Sequence, residues 1–335
     1  SKFLSFQKNE VKEVRFMAKF LIRRFIYMII TIFLVFTATF FMLAAIPGNA
    51  LTGKIAKLPE SSQQRIMQKY GYDKPVGERY VVTLGNALHG DFGESIVNAG
   101  DTVQSILSER LPVTVRLNTQ QIVFGVSIGI VLGVIAAMRR GTAVDYGILI
   151  FCMFMTSVPS LVIALIFQLT FAGSSGLGLP IIGWPSGDEL WFGGWQYTIL
   201  PTISGALFYV AGYARTTKIA MLDSIYQECT TTARAIGMSE SEVVIHHVVR
   251  NSFIPIITYL PQTIAGVLSG SLFIERVFSI HGVGNYYVEC ISSRDMQMVL
   301  GFTVFYSCIT VVAIFASDVL YGVVDPRIKI TGDRR

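Results

Sequence analysis

Apolar positions along this chain gather into uncharged runs of roughly 20 residues, the length a helix needs to cross a hydrocarbon core. Six stand out: Phe25–Ile46, Leu117–Met138, Tyr146–Ala172, Tyr197–Ala214, Ser252–Ile274 and Met298–Ser317. The fourth is the shortest and carries Pro201 near its start. One such run could be a buried helix of a water-soluble protein. Six in one chain point to an all-α integral membrane protein of six transmembrane helices. Two polar regions break the pattern. Residues 47–111 carry their own helix signals: Pro59-Glu60 opens a polar helical stretch that stops at Gly71, and Asp101-Thr-Val-Gln104 reads as a capping box before Ile106. Residues 215–251 form a connection far longer than two neighbouring spans need. The pattern divides the chain into a polar start (1–24), a first span with its attached segment (25–110), a main membrane domain (111–325) and a short tail (326–335).

Composition sharpens this picture. Of 335 residues 52% are hydrophobic and only 15% charged, well below the quarter typical of soluble domains. The net charge of +5 does not indicate nucleic-acid binding, because the positive residues sit beside the apolar runs, where they orient the chain in the membrane. With the first residues inside, 17 of the 27 Lys and Arg fall on inner segments, among them Arg23, Arg24, Arg139, Arg140, Arg215, Lys218, Arg234 and Arg250. The short outer loops hold only Arg276 and Arg294. Both ends of the chain are therefore expected inside, and segment 47–111 outside. Trp191 and Trp195 fit an aromatic belt at the outer interface. The first run has no small-residue cleavage site, so no cleavable leader is expected. The four cysteines, Cys152, Cys229, Cys290 and Cys308, are scattered and suggest neither a disulfide framework nor a metal site.

The inventory of chemistry is mostly negative. None of the six runs contains a charged residue, so the titratable group that an ion-coupled carrier places at mid-membrane is missing. Asp318 lies just past the sixth run and reads as structural. Gly48-Asn-Ala-Leu-Thr-Gly-Lys54-Ile55 approaches a phosphate-binding loop, but Ile55 stands where Ser or Thr should hold magnesium and no strand precedes it. Leu268-Ser-Gly270 inside a span is equally coincidental. His246 and His247 are adjacent, so a helix would point them about 100° apart, too far for one metal. No catalytic set converges by spacing, and an enzyme is disfavoured. What remains is packing and passage. Gly125, Gly129 and Gly133 form a small-x-x-x-small ridge, repeated by Gly266 and Gly270, and such ridges let helices approach closely in lipid. Pro159, Pro201, Pro255 and Pro261 lie in or at the ends of runs, where they could kink helices around a cavity. Neutral polar groups, including Thr119, Gln120, Ser127, Gln168, Tyr259, Gln262, Thr263 and Tyr306, would suit a cargo whose side chains vary.

Residues 227–255 carry Thr232-Ala-Arg-Ala235, Gly237, His247, Arg250-Asn251 and Pro255. This resembles the cytoplasmic EAA loop of ABC importer permeases in their peptide branch. Cys229, Ile236 and His246 depart from that branch, which has Tyr, Lys and Arg there. Phe20-Leu-Ile-Arg-Arg24, Ile46-Pro-Gly48, His89-Gly-Asp-Phe-Gly93, Glu109-Arg-Leu-Pro112, Glu275-Arg-Val-Phe278, Gly282-Val-Gly284 and Asp325-Pro-Arg-Ile-Lys329 are similar, in order, to the B-type subunit of oligopeptide and dipeptide permeases. The resemblance implies a six-helix type I ABC importer permease in a bacterial cytoplasmic membrane. Thr232, Ala233, Arg234, Ala235, Gly237, Met238 and Ser239 would then couple it to two cytoplasmic ATPases. ATP and magnesium would reside on those partners, and no cofactor on this chain. The other implied partners are a second, homologous permease subunit, an extracytoplasmic peptide-binding protein, a peptide substrate and membrane lipid. The alternatives are a nickel or metal-chelate permease of the same class and a stand-alone secondary carrier.

Overall fold

In the computed structural model the chain is described over residues 2–46, 59–69, 71–174, 176–269 and 271–324. The phosphate-loop look-alike at 48–55, the small residue Gly270, the closing motif 325–329 and the tail 326–335 lie outside the described residues. Among the described residues the regular structure is helical, joined by turns and loops, with an isolated bridge between Ala172 and Leu179. The helices are α1 (Lys2–Ala45), α2 (Glu60–Lys69), α3 (Val76–Leu88), α4 (Val103–Met138), α5 (Ala143–Ser157), α6 (Ser160–Phe171), α7 (Trp195–Ile225), α8 (Glu228–Ala235), α9 (Glu240–Val243), α10 (Arg250–Ser269), α11 (Leu272–Val277), α12 (Val283–Ser292) and α13 (Met296–Val324). A π-helical segment, Val244–Val249, joins α9 to α10.

Four helical runs among the described residues are long and apolar enough to cross a membrane: Leu21–Ala45, Val103–Met138, Glu240–Val277 and Met296–Val319. The stretch 146–172, expected as one span, is instead two helices, α5 and α6, bent by 103°. Pro159 caps α6. The ring clashes with a helical residue before it and lacks an N–H, so α5 ends at Ser157. Counting that bent pair as one span gives five. The expected fourth span lies within α7, which extends past it through Arg215 and Lys218 to Ile225. The fifth expected span lies within the single run Glu240–Val277, which contains α10 and the short α11.

The chain folds as two compact units. One unites Ser1–Gly100 with Arg294–Arg335. Here α1 and α13 bury Phe36, Phe40, Leu300 and Val304 together, and Tyr80 and Leu84 of α3 close over them. Tyr80 also shares a 2.8 Å hydrogen bond with Thr37. Asp318 is held by Arg24 in an ion pair at 3.0 Å. Asp295, fully buried, accepts from Ser95 Oγ at 2.5 Å and from the Val97 amide at 3.3 Å, which fastens segment 93–98 to the start of α13.

The other unit, Asp101–Ser293, is built on a long seam between α4 and α7. A Cβ added at Gly125 would lie 2.5 Å from the Tyr209 Cβ and 2.7 Å from the Ala206 carbonyl. At Gly129 it would meet Tyr213 Cβ and Val210 O, both at 2.8 Å, and at Gly133 Ala214 O and Thr217 Cβ, both at 2.6 Å. Each glycine therefore sits directly on the backbone of α7. The α4 cap is one residue later than expected: Thr102 accepts from the Ser105 amide at 3.1 Å, and the Ser105 hydroxyl accepts from the Thr102 amide at 2.9 Å. Asp101 is thereby left to accept from Tyr286 Oη at 2.7 Å.

Candidate functional site

The segment 224–252 is a closed helix–turn–helix hung below α7 and α10. Its neck is fastened twice. Ser252 Oγ donates to Ser224 Oγ at 3.3 Å, and Asn251 Nδ2 donates to Gln227 Oε1 at 3.2 Å. Thr230, fully buried, donates its hydroxyl to the Ser224 carbonyl at 2.9 Å and anchors α8 at its first turn. Val248, with Ala137 and Met221, forms the small core above it.

Helix α8 ends at a left-handed residue, Gly237, with φ +90°. The Gly237 amide donates to Arg234 O at 3.0 Å and the Met238 amide to Ala233 O at 3.2 Å, so the last carbonyls are satisfied within the turn. Ser239 then starts α9 through a capping box with Glu242: the Ser239 amide donates to Glu242 Oε2 at 3.0 Å and Ser239 Oγ accepts from the Glu242 amide at 3.4 Å. Arg234 Nε spans the turn to Glu240 Oε1 at 2.8 Å, and that bond raises the guanidinium pKa above its usual value. The turn is thus rigid for reasons local to residues 233–242.

The loop residues singled out by sequence do not all face one way. Thr232, Arg234, Ala235, Gly237 and Ser239 are exposed, Met238 is half-buried, and Ala233 is buried by this chain's own bundle. Ala233 therefore seats the loop, while Ala235 is offered outward. Two apolar side chains of this segment, Ile236 and Ile245, are 74% and 62% exposed, and the exposed Tyr226 accepts at Oη from Arg140 Nη1 at 2.7 Å. A rigid polar turn that carries exposed apolar knobs is chemically suited to docking in a protein groove. Of the second glycine pair, Gly266 approaches Tyr209: an added Cβ would meet its hydroxyl at 2.9 Å.

At the other end of this unit the structure assembles polar groups that the run-by-run reading did not connect. Glu275 of α11, fully buried, accepts from Thr114 Oγ1 of α4 at 3.0 Å and from the Asn285 amide of α12 at 3.0 Å. Its carboxylate occupies the space beside Gly282 and Gly284, where an added Cβ would lie 2.3 Å and 2.9 Å from Oε2. Glu275 and the Gly-x-Gly that follows thus form one packed unit. Arg116 of α4, also buried, donates to the carbonyls of Glu189 (2.8 Å), Leu190 and Gly193 (2.7 Å), and its guanidinium lies 5.5 Å from the Trp184 ring. At the loop end, by contrast, Asp145 pairs with Lys218 and accepts from the Gly141 amide at 3.0 Å, pinning the start of α5 to α7. The sequence signal for Glu275 was the glycine spacing just after it. Nothing local pointed to carbonyls more than 70 residues away from Arg116.

Comparison with known proteins agrees with this organisation. The chain is 35% identical over 314 residues to the dipeptide transport system permease protein DppB of Bacillus subtilis, covering 94% of this chain and 99% of that protein. It is 32% identical over 313 residues to the oligopeptide transport system permease protein OppB of Haemophilus influenzae, covering 93% of this chain and 100% of that protein. A solved amino acid ABC transporter superposes with a TM-score of 0.46 at 14% identity, covering 67% of this chain and 95% of that one, a likeness too slight to build on. Residues 17–118 match the N-terminal model of binding-protein-dependent transport system membrane components. Residues 129–330 match the model of the inner membrane component itself, and the chain belongs to that family of binding-protein-dependent transport system inner membrane components.

Proposed function

We propose that this chain is one permease subunit of an ATP-driven importer that carries short peptides across the bacterial cytoplasmic membrane. It pairs with a second, homologous permease subunit, receives cargo from an extracytoplasmic peptide-binding protein and takes its energy from two cytoplasmic ATPases. ATP and magnesium are handled by those ATPases, and no cofactor is assigned to this chain. The observation that carries the reading is the coupling loop. Residues 224–252 form a braced turn that exposes Ala235, Ile236 and Ile245, which is what a rigid link to a moving partner requires. The chain's likeness to dipeptide and oligopeptide transport permeases supports peptide as cargo.

In this reading the chain crosses the membrane six times, with both ends and the coupling loop inside. Closure of the ATPases pulls on the loop and shifts the permease between outward- and inward-open states. Uptake by a strain that lacks the chain tests the cargo directly, with labelled peptides of two to eight residues compared against labelled nickel. We expect peptide uptake to be lost and restored by the chain. Loss of nickel uptake alone would reject the peptide reading.

A further inference from the structure

Helix α10 has two unlike exposed faces at membrane depth. Pro255, Tyr259, Gln262 and Gly266 follow the i, i+4, i+7, i+11 spacing of one helical stripe. Pro255 and Gln262 are exposed, Tyr259 is 50% exposed, and Gly266 is partly open. Phe253, Ile257 and Ile264 stand two residues from members of that stripe, hence roughly 200° around the helix. They are exposed at 37%, 40% and 53% and wholly apolar. Between the stripes Ser252, Ile256 and Thr263 are buried.

Acyl chains can cover the apolar stripe at no cost. They cannot cover Gln262, because an amide in hydrocarbon without hydrogen-bond partners is strongly disfavoured. The polar stripe is also backed by an ordered tyrosine shelf from α7. Tyr213 shares a 2.6 Å hydrogen bond with Thr263 and meets the Tyr259 ring edge-on at 5.9 Å. The absence of a side chain at Gly266 leaves room for the Tyr209 hydroxyl. The shelf thus fixes Tyr259 and lies against Gly266, the neighbours of Gln262 along the stripe.

We propose that Tyr259 and Gln262, with Pro255, Gly266 and Tyr209 around them, are the wall of this chain that faces the water-filled path and pairs with the backbone of the passing peptide. The proposal rests on the peptide-import reading and adds the residues that meet the cargo. A glutamine amide presents a donor and an acceptor side by side, as a peptide group does, so it can pair with any residue's backbone. The Tyr259 phenol can give or accept a hydrogen bond. The stripe has no charge, so no cargo side chain is rejected by like sign.

The test uses the assembled transporter in proteoliposomes, with the four cysteines of this chain replaced and one cysteine introduced, Gln262→Cys or Ile257→Cys. A water-soluble methanethiosulfonate should modify Gln262→Cys and leave Ile257→Cys unmodified, and trialanine supplied with the binding protein should slow the first reaction. In parallel, Gln262→Leu should lower trialanine uptake about fivefold, the equivalent of one hydrogen bond, while Gln262→Asn keeps most of it. Equal modification at both positions would overturn the wall. So would protection of Gln262→Cys in every nucleotide state, which would place the stripe against the sister subunit. A wild-type transporter that imports no peptide would overturn the cargo part together with the function it rests on, and the modification pattern would still judge the wall alone.

Discussion

Gly129 and Gly212 are both glycines on the central helices of the larger unit, yet their surroundings predict opposite responses to a side chain. At Gly129 an added Cβ would sit 2.8 Å from a carbonyl and from Tyr213 Cβ, and neither can move without shifting α7. At Gly212 it would meet nothing within 4 Å. Gly129→Leu should therefore destabilise the fold by at least the roughly 1–3 kcal/mol typical of overpacking. Gly212→Ala should be neutral or gain up to about 1 kcal/mol of helix propensity. Thermal melting of the purified complex in detergent would compare them, and equal melting temperatures would refute the close seam. The ridge at 125, 129 and 133 was legible in the sequence because small residues at that spacing have few other uses in a membrane helix. Gln121 was not: its amide donates to the Pro201 carbonyl at 3.1 Å, across 80 residues of chain, and fills the place a side chain on Gly205 would need. Partners of that kind are set by packing, which no local pattern records.

Among the elements, the turn proposed to couple the chain to its ATPases has the most local signals and the α5–α6 bend the fewest. The loop is specified by residues within it, a left-handed glycine, a serine cap and an arginine–glutamate brace, so its signals are contiguous. The bend depends on Pro159, and a proline inside an apolar run is compatible with either a kinked span or a broken one. For the loop we expect Gly237→Glu to abolish peptide import while the chain still inserts in the membrane. The position has φ +90°, where a side chain strains the turn, and the space around it is open, so the added carboxylate would project toward the docking partner. Uptake together with co-purification of the ATPases reads this out. Normal values for both would sink the coupling role. Ala233, by contrast, is buried within the chain, so its smallness serves the seat of α8 and not the contact with a partner.

At the scale of the whole molecule, the inner bias of Lys and Arg makes orientation a testable quantity. In a background without the native cysteines, Glu240→Cys should react with an impermeant maleimide only after the cytoplasmic side is opened, and Gln64→Cys should react from outside intact cells. Reaction of both from the same side would overturn the six-span arrangement. The sequence did not reveal how the chain is partitioned. Hydropathy is read in chain order, whereas Phe36 and Phe40 find their partners in Leu300 and Val304, more than 250 residues later. That partition bears on biosynthesis. The unit spanning 101–293 is contiguous and can close while the ribosome is still at work, but α1 must wait in the bilayer for α13 before the core they share with α3 exists. Until α13 is made, the apolar face of α1 lacks the partner that buries it. Among the described helices α13 is the one that completes the core α1 begins.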